Sequence, residues 1–126
     1  LLKTISGIGD ILALTILYEI GDISRFESVQ KFASYSRLVK CKAESAGKTY
    51  GTQGNKIGNA HLKWAFSEAA ILFLRNNTSA KAYIKRLEKR MPKSKALSVL
   101  AHKLGRTIYH MLRNKTVFDP EKFLPI

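Results

Sequence analysis

Residues 58–74 read GNAHLKWAFSEAAILFL. Leu62, Phe66, Ala69 and Phe73 recur at intervals of four, three and four, the spacing that sets side chains on one stripe of an α-helix. Asn76-Asn77 breaks the pattern. Downstream, Thr78 is placed to cap a further helix in which Ala80, Ile84, Leu87 and Met91 form one stripe. Lys81, Lys85, Arg86, Lys89 and Arg90 occupy its other faces, and Pro92 stops it. Residues 94–113 repeat the design. There Leu97, Leu100, Ala101, Leu104, Ile108, Met111 and Leu112 lie opposite His102, Lys103, Arg106, His110 and Arg113.

Upstream, residues 10–20 are apolar nearly all round (Ile11, Leu12, Leu14, Ile16, Leu17, Ile20), which predicts a buried helix closed by Gly21. Residues 28–38 predict a short helix with Val29, Phe32, Ala33 and Ser36 on one face. The tail VFDPEKFLPI, residues 117–126, reads as an extended arm that docks Phe118 and Phe123. No segment carries a good strand pattern. The expected fold is all-α, a compact bundle of about five helices opening with a helix-hairpin-helix-like element.

Charge narrows the class of partner. Twenty-two Lys and Arg against nine Asp and Glu give a net charge of +13, beyond what solubility needs and suited to a polyanion. The charge is uneven. Residues 31–63 hold seven basic side chains and one acid, residues 81–115 hold eleven and one, and the first thirty residues are close to neutral. A single cysteine, Cys41, excludes an intramolecular disulfide and a cysteine-based zinc site. No apolar run approaches a membrane span. The opening LLKTISGIG has no basic leader and no initiating Met, and is expected to be the start of a C-terminal piece of a longer protein.

Gly7 and Gly9 in ISGIGD form a G-h-G turn ahead of a helix. Such a turn brings backbone N–H groups to a helix N-terminus, a setting suited to a DNA phosphate oxygen. A plain tight turn before a buried helix is the alternative, and Asp10 opposes an anion there. The GKT at residues 47–49 is not a nucleotide loop: Lys42 stands where the motif needs its first glycine, and no strand precedes it. The acids are scattered and His61, His102 and His110 lack metal spacing, so no metal site is expected in this chain. Between Ser36 and Thr49 the only hydroxyl is Ser45, set among Lys42, Gly47, Lys48, Lys56, Gly58 and Lys63. A serine nucleophile in phosphoryl transfer needs exposure, a cationic surround and a proton acceptor. The first two are present locally, the acceptor is not, and on the residues alone an ordinary loop serine is the commoner reading.

The order of four blocks carries a resemblance. LLKTISGIGDILALTILYEIGDISRFESVQKFASYSRLV, then SAGK, then NKIGNAHLKW, then LAHKLGRTIYHMLRNKTVFDPEKF resembles the C-terminal half of bacterial transposases of the insertion sequence 110 family and its relatives 116 and 902. That resemblance implies a DNA recombinase in two parts. A preceding RNase-H-like domain would carry clustered acids and Mg²⁺, and this part would carry Ser45 as a nucleophile that forms a phosphoserine link to DNA. It also implies a guide RNA encoded by the element, a homo-oligomer on two DNA ends, and a bacterial, cytoplasmic, nucleoid-associated setting. Ala46 between Ser45 and Gly47, Asn55 ahead of Lys56, Lys63 after Leu62, and Ser36 before Arg37-Leu38 depart from the family pattern.

The whole chain, 1–126, is thus expected to form one domain. Residues 1–40 make the helix-hairpin-helix-like part, 41–58 the Gly/Lys-rich active loop, 59–113 three basic helices and 114–126 the tail. The nucleic-acid contacts expected are Gly7, Gly9, Lys42, Gly47, Lys48, Lys56, Gly58, Asn59, Lys63, Lys85, Arg86, Lys103 and Arg106. Two other classes stay open: a helix-hairpin-helix module that binds nucleic acid without chemistry, and an oligomerisation module.

Overall fold

The stripe of residues 62–73 becomes the central contact of the bundle. The computed structural model describes residues 1–39, 58–75 and 77–124, and among them no strand forms. A 3-10 turn, Leu2–Thr4, leads into α1 (Asp10–Ile20). A second such turn, Ile23–Arg25, precedes α2 (Val29–Tyr35). Then come α3 (Ala60–Arg75), α4 (Thr78–Glu88), α5 (Lys93–Asn114) and a single helical turn, α6 (Pro120–Phe123). The expected all-α bundle is what these residues build.

Local chemistry sets the ends. Ser28 Oγ accepts the Lys31 amide at 3.2 Å and starts α2. The helix stops earlier than the pattern suggested, because Arg37 adopts φ 58° and the Leu38 amide turns back to Ala33 O at 2.9 Å. Gly21 closes α1 by donating to Leu17 O. Asn77, not Thr78, caps α4: its Oδ1 accepts the Ala80 amide at 2.9 Å, and Thr78 falls one place inside the helix. Pro92 occupies the N-cap position of α5.

The hub is α5, against which α2, α3, α4 and the Ile23–Arg25 turn all pack. Leu62, Ala65, Phe66, Ala69, Ala70 and Phe73 bury the inner face of α3. Aromatic clusters gather at two places along it. Phe32 meets Phe66, Phe26 and Tyr109 at ring separations of 6.0, 5.2 and 5.5 Å. Phe73 meets Phe118 and Phe123 at 6.0 and 5.3 Å. Burying each such ring is worth about 2–3 kcal/mol, before any edge-to-face gain. The tail therefore docks both expected phenylalanines, though it does so with a helical turn capped by Asp119 instead of a wholly extended arm. The Phe118 amide also donates to Thr4 Oγ1 at 2.9 Å, tying the tail to the first turn.

The expectation for α1 is corrected as well. α1 is not buried all round: Leu12, Ala13, Ile16 and Ile20 face the core, while Ile11, Leu14 and Tyr18 are 78%, 67% and 84% exposed. Its principal helix contact is with α3, so only the side turned toward α3 and the 3-10 turn is covered. Composition reports how apolar a helix is, not how many neighbours it meets.

Candidate nucleic-acid interface

The expected contact residues that the structure describes fall in three parts of the surface. The first is the turn ahead of α1. Gly7 has φ +93°, and a Cβ there would lie 2.8 and 2.9 Å from the carbonyl carbon and oxygen of Leu72. Its glycine character is consumed by close approach to α3. Gly9 is different: it is the N-cap of α1, and a Cβ would meet nothing within 4 Å. Beside it Lys3 pairs with Asp10, and this ammonium holds the Asp10 carboxyl below its ordinary pKa. Of the two glycines, Gly9 has the open approach.

The second part is the junction where residue 58 enters α3. Gly58 sits at φ +105°, with Tyr35 O 2.6 Å from where a Cβ would stand. Asn59 Oδ1 accepts the Leu62 amide at 2.9 Å and so starts α3. Its Nδ2 donates to Glu19 Oε1 at 2.8 Å and lies 3.3 Å from Tyr35 Oη. One side chain thereby joins the end of α1, the end of α2 and the start of α3. With Gly7 against Leu72, this makes α1 and α3 antiparallel. The Asn59 amide, and after it the Arg25 guanidinium, hold the Tyr35 hydroxyl below the usual phenol pKa. Arg25 itself lies over the Phe26 and Tyr35 rings at 4.8 and 4.9 Å. Lys63 is exposed on the first turn of α3, its Nζ donating to Arg37 O at 3.3 Å. Lys42, Ser45, Gly47, Lys48 and Lys56 lie outside the described residues.

The third part is the basic surface of α4 and α5. Lys85, Arg86 and Arg106 are exposed. Lys103 is half-buried, its Nζ 5.4 Å from the centre of the Phe123 ring, so part of its charge is spent on holding the tail. Arg113 lies 3.4 Å from Phe26 O and over Tyr109. His102 is half-buried too, and burial together with Arg106 pushes its imidazole below the ordinary value. Sequence reasoning did not single out a shallow groove on α4 lined by Tyr83, Arg86, Leu87 and Arg90. The i, i+3, i+4, i+7 spacing of an aromatic, a cation, an aliphatic and a cation was its available signal.

Among the described residues no group of His, Cys, Asp and Glu could hold a metal ion, and no helix is long and apolar enough to cross a membrane. Several of the described acids cap or pair: Asp22 accepts from Ser24, Asp119 from Glu121 and Lys122, and Glu27 pairs with Lys31.

An all-α bundle with a hairpin-like entry and two basic blocks is the setting in which the comparisons with known proteins fall. The family described as Transposase IS116/IS110/IS902 matches residues 1–85. The chain belongs to this family. It is 25% identical over 121 residues to the insertion element IS116 uncharacterized 44.8 kDa protein of Streptomyces clavuligerus, covering 95% of this chain and 30% of that protein. It is 26% identical over 119 residues to the insertion element IS110 uncharacterized 43.6 kDa protein of Streptomyces coelicolor, covering 94% of this chain and 29% of that protein. The chain thus spans about a third of the length of these curated relatives or slightly less. No solved structure matches it.

Proposed function

We propose that this chain is the DNA-binding, serine-nucleophile domain of a transposase that cleaves and rejoins the strands of an insertion sequence. The observation that carries the reading is the family match over residues 1–85, which takes in the whole 43–64 stretch around Ser45. Two further facts support it. The net charge of +13 is concentrated in two blocks, one holding Ser45 and the other on exposed faces of α4 and α5. Gly58 packs against Tyr35 O, and Asn59 is hydrogen-bonded to Glu19 of α1 and Tyr35 of α2.

In this reading Ser45 Oγ attacks a DNA phosphodiester. A P–Oγ bond forms as the P–O bond to the leaving sugar oxygen breaks, and the serine proton passes to an acceptor outside this stretch. Lysine side chains at 42, 48, 56 and 63 offset the charge gathered on the phosphoryl oxygens. Among the described residues no group of His, Cys, Asp and Glu could hold Mg²⁺; in this reading an acid-rich part of the full-length protein would hold it and supply charge stabilisation and a proton acceptor. DNA ends and target, an element-encoded RNA and further copies of the protein are the partners, and the bacterial nucleoid is the setting. Residues 1–126 act as one unit, with 41–58 as the active loop.

A second reading has its own observation. The exposed apolar stripe of Ile11, Leu14 and Tyr18 suits a module that binds and assembles without chemistry. One experiment separates the two. The full-length protein is incubated with Mg²⁺, labelled element-junction DNA and element RNA, then denatured before electrophoresis. A protein–DNA adduct that vanishes in Ser45→Ala establishes the nucleophile. Tight, salt-sensitive binding with no adduct from the wild type leaves the binding module.

A further inference from the structure

The groove on α4 has a composition that simple phosphate binding does not call for. Tyr83, Arg86, Leu87 and Arg90 line an open groove of about 190 Å³. Small-molecule and cofactor pockets run to about 300–1,000 Å³, so this one is too small for a nucleotide cofactor and suited to a single planar ring. Leu87 is buried and forms an apolar floor. Tyr83 is half-buried, and Arg86 Cζ lies 5.9 Å from its ring centre. Both arginines are exposed, and among the described residues neither meets a carboxylate. The groove sits near the C-terminus of α4, where helix carbonyls repel an anion. Phosphate is therefore drawn by the two guanidiniums, not by the backbone.

We propose that this groove holds one unpaired nucleotide, its base stacked on Tyr83 and its phosphate between Arg86 and Arg90. The inference rests on the nucleic-acid-binding reading and deepens it, because it assigns α4 to single-stranded nucleic acid. A duplex keeps its base faces inside the stack, so a duplex phosphate uses the arginines and leaves the ring idle. An aromatic face flanked by guanidiniums serves a splayed-out base of either RNA or DNA.

The test uses the full chain and three labelled probes at one salt concentration: oligouridylate and oligodeoxythymidylate of about 12 nucleotides, and a blunt DNA duplex. Tyr83→Leu keeps an apolar side chain of moderate size and removes the π-face; Tyr83→Phe keeps the ring. The expected result is a loss of about 5- to 100-fold in single-strand affinity for Tyr83→Leu. Tyr83→Phe stays within about threefold of wild type, and duplex affinity stays within about twofold for both variants. The probe that binds tighter and loses more identifies RNA or DNA as the strand. Single-strand binding untouched by Tyr83→Leu, or an equal loss on the duplex, overturns the groove assignment. So does a loss for Tyr83→Phe as large as that for Tyr83→Leu. Failure of the wild type to bind any of the three probes overturns the nucleic-acid reading on which the groove rests.

Discussion

Asn59 and Glu19 are joined side chain to side chain at 2.8 Å across forty residues of sequence. The same asparagine caps α3 through the Leu62 amide and reaches the Tyr35 hydroxyl. Asn59→Ala removes the cap, leaves Glu19 without this donor and leaves Tyr35 with Arg25 alone, a loss of about 2 kcal/mol. Asn59→Asp retains the cap but sets a carboxylate against Glu19. Chemical denaturation of Asn59→Asp with and without Glu19→Gln checks the assignment: Glu19→Gln is expected to restore stability when combined with Asn59→Asp and to lower it in the wild type.

Three of the four expected glycines lie among the described residues, and they separate by what surrounds them. Gly7→Ala and Gly58→Ala each force a side chain into a backbone carbonyl at positive φ. Each is expected to lower stability by about 2 kcal/mol or more. Gly9→Ala meets open space and is expected to change stability by less than about 1 kcal/mol. If backbone amides at that turn meet phosphate, Gly9→Ala lowers DNA affinity while leaving the thermal midpoint in place. Paired melting and binding measurements on the three variants read this directly.

Ser36 is fully buried and its Oγ has no hydrogen-bond partner among the described residues. A buried hydroxyl without a partner carries a desolvation penalty of about 1–3 kcal/mol. Ser36→Ala is expected to raise the unfolding free energy by about 1 kcal/mol, moving the midpoint upward by several degrees. A lower midpoint for Ser36→Ala would reveal a partner for this hydroxyl.

Lys103 and Arg86 carry the same formal charge in different surroundings. Arg86 is exposed, so Arg86→Gln is expected to reduce the slope of log affinity against log salt by about one. Lys103 is half-buried over Phe123. Lys103→Gln is expected to change that slope less and to loosen the tail, lowering stability by about 0.5–1 kcal/mol. Salt titrations of binding, with melting curves beside them, distinguish the two roles.

His102 gives a pH dependence. Burial and Arg106 depress its pKa in the folded state, so the unfolded chain takes up a proton more readily than the folded one. Stability from this group is fully present above the ordinary imidazole pKa of about 6.5. It is lost as pH falls through the depressed folded value. Replacing His102 with Gln is expected to flatten the stability profile below pH about 6.5 and to leave it unchanged above.

The helices were legible because their stripes are clean. Leu62, Phe66, Ala69 and Phe73 point inward as their spacing requires, and the basic residues of α4 are exposed. What escaped the sequence depended on the partner of each helix. The apolar residues of α1 are split between core and solvent, because a single helix, α3, covers most of its inner side. The reach of Asn59 to Glu19 depends on two elements forty residues apart, a relationship that local periodicity does not carry. Asn77 and Thr78 both suit a cap, and only the backbone turn decides between them. For the candidate site, the charge blocks were legible, whereas the commitment of Lys103 and Arg113 to aromatic rings appears only once the tail and the Phe26 turn are in place. Tyr83 stands outside the stripe of Ala80, Ile84, Leu87 and Met91, so its place in the groove emerges only from the structure.

The bond from Phe118 to Thr4 has a meaning in time. The ribosome delivers Thr4 114 residues before Phe118, and Phe73 long before the two rings that cover it. Until the segment around Phe118 and Phe123 has left the exit tunnel, the seam between the first turn and α3 stays open. Closure of this domain therefore waits for its tail to be synthesised, and a nascent chain halted before Phe118 offers chaperones and proteases an uncovered apolar edge.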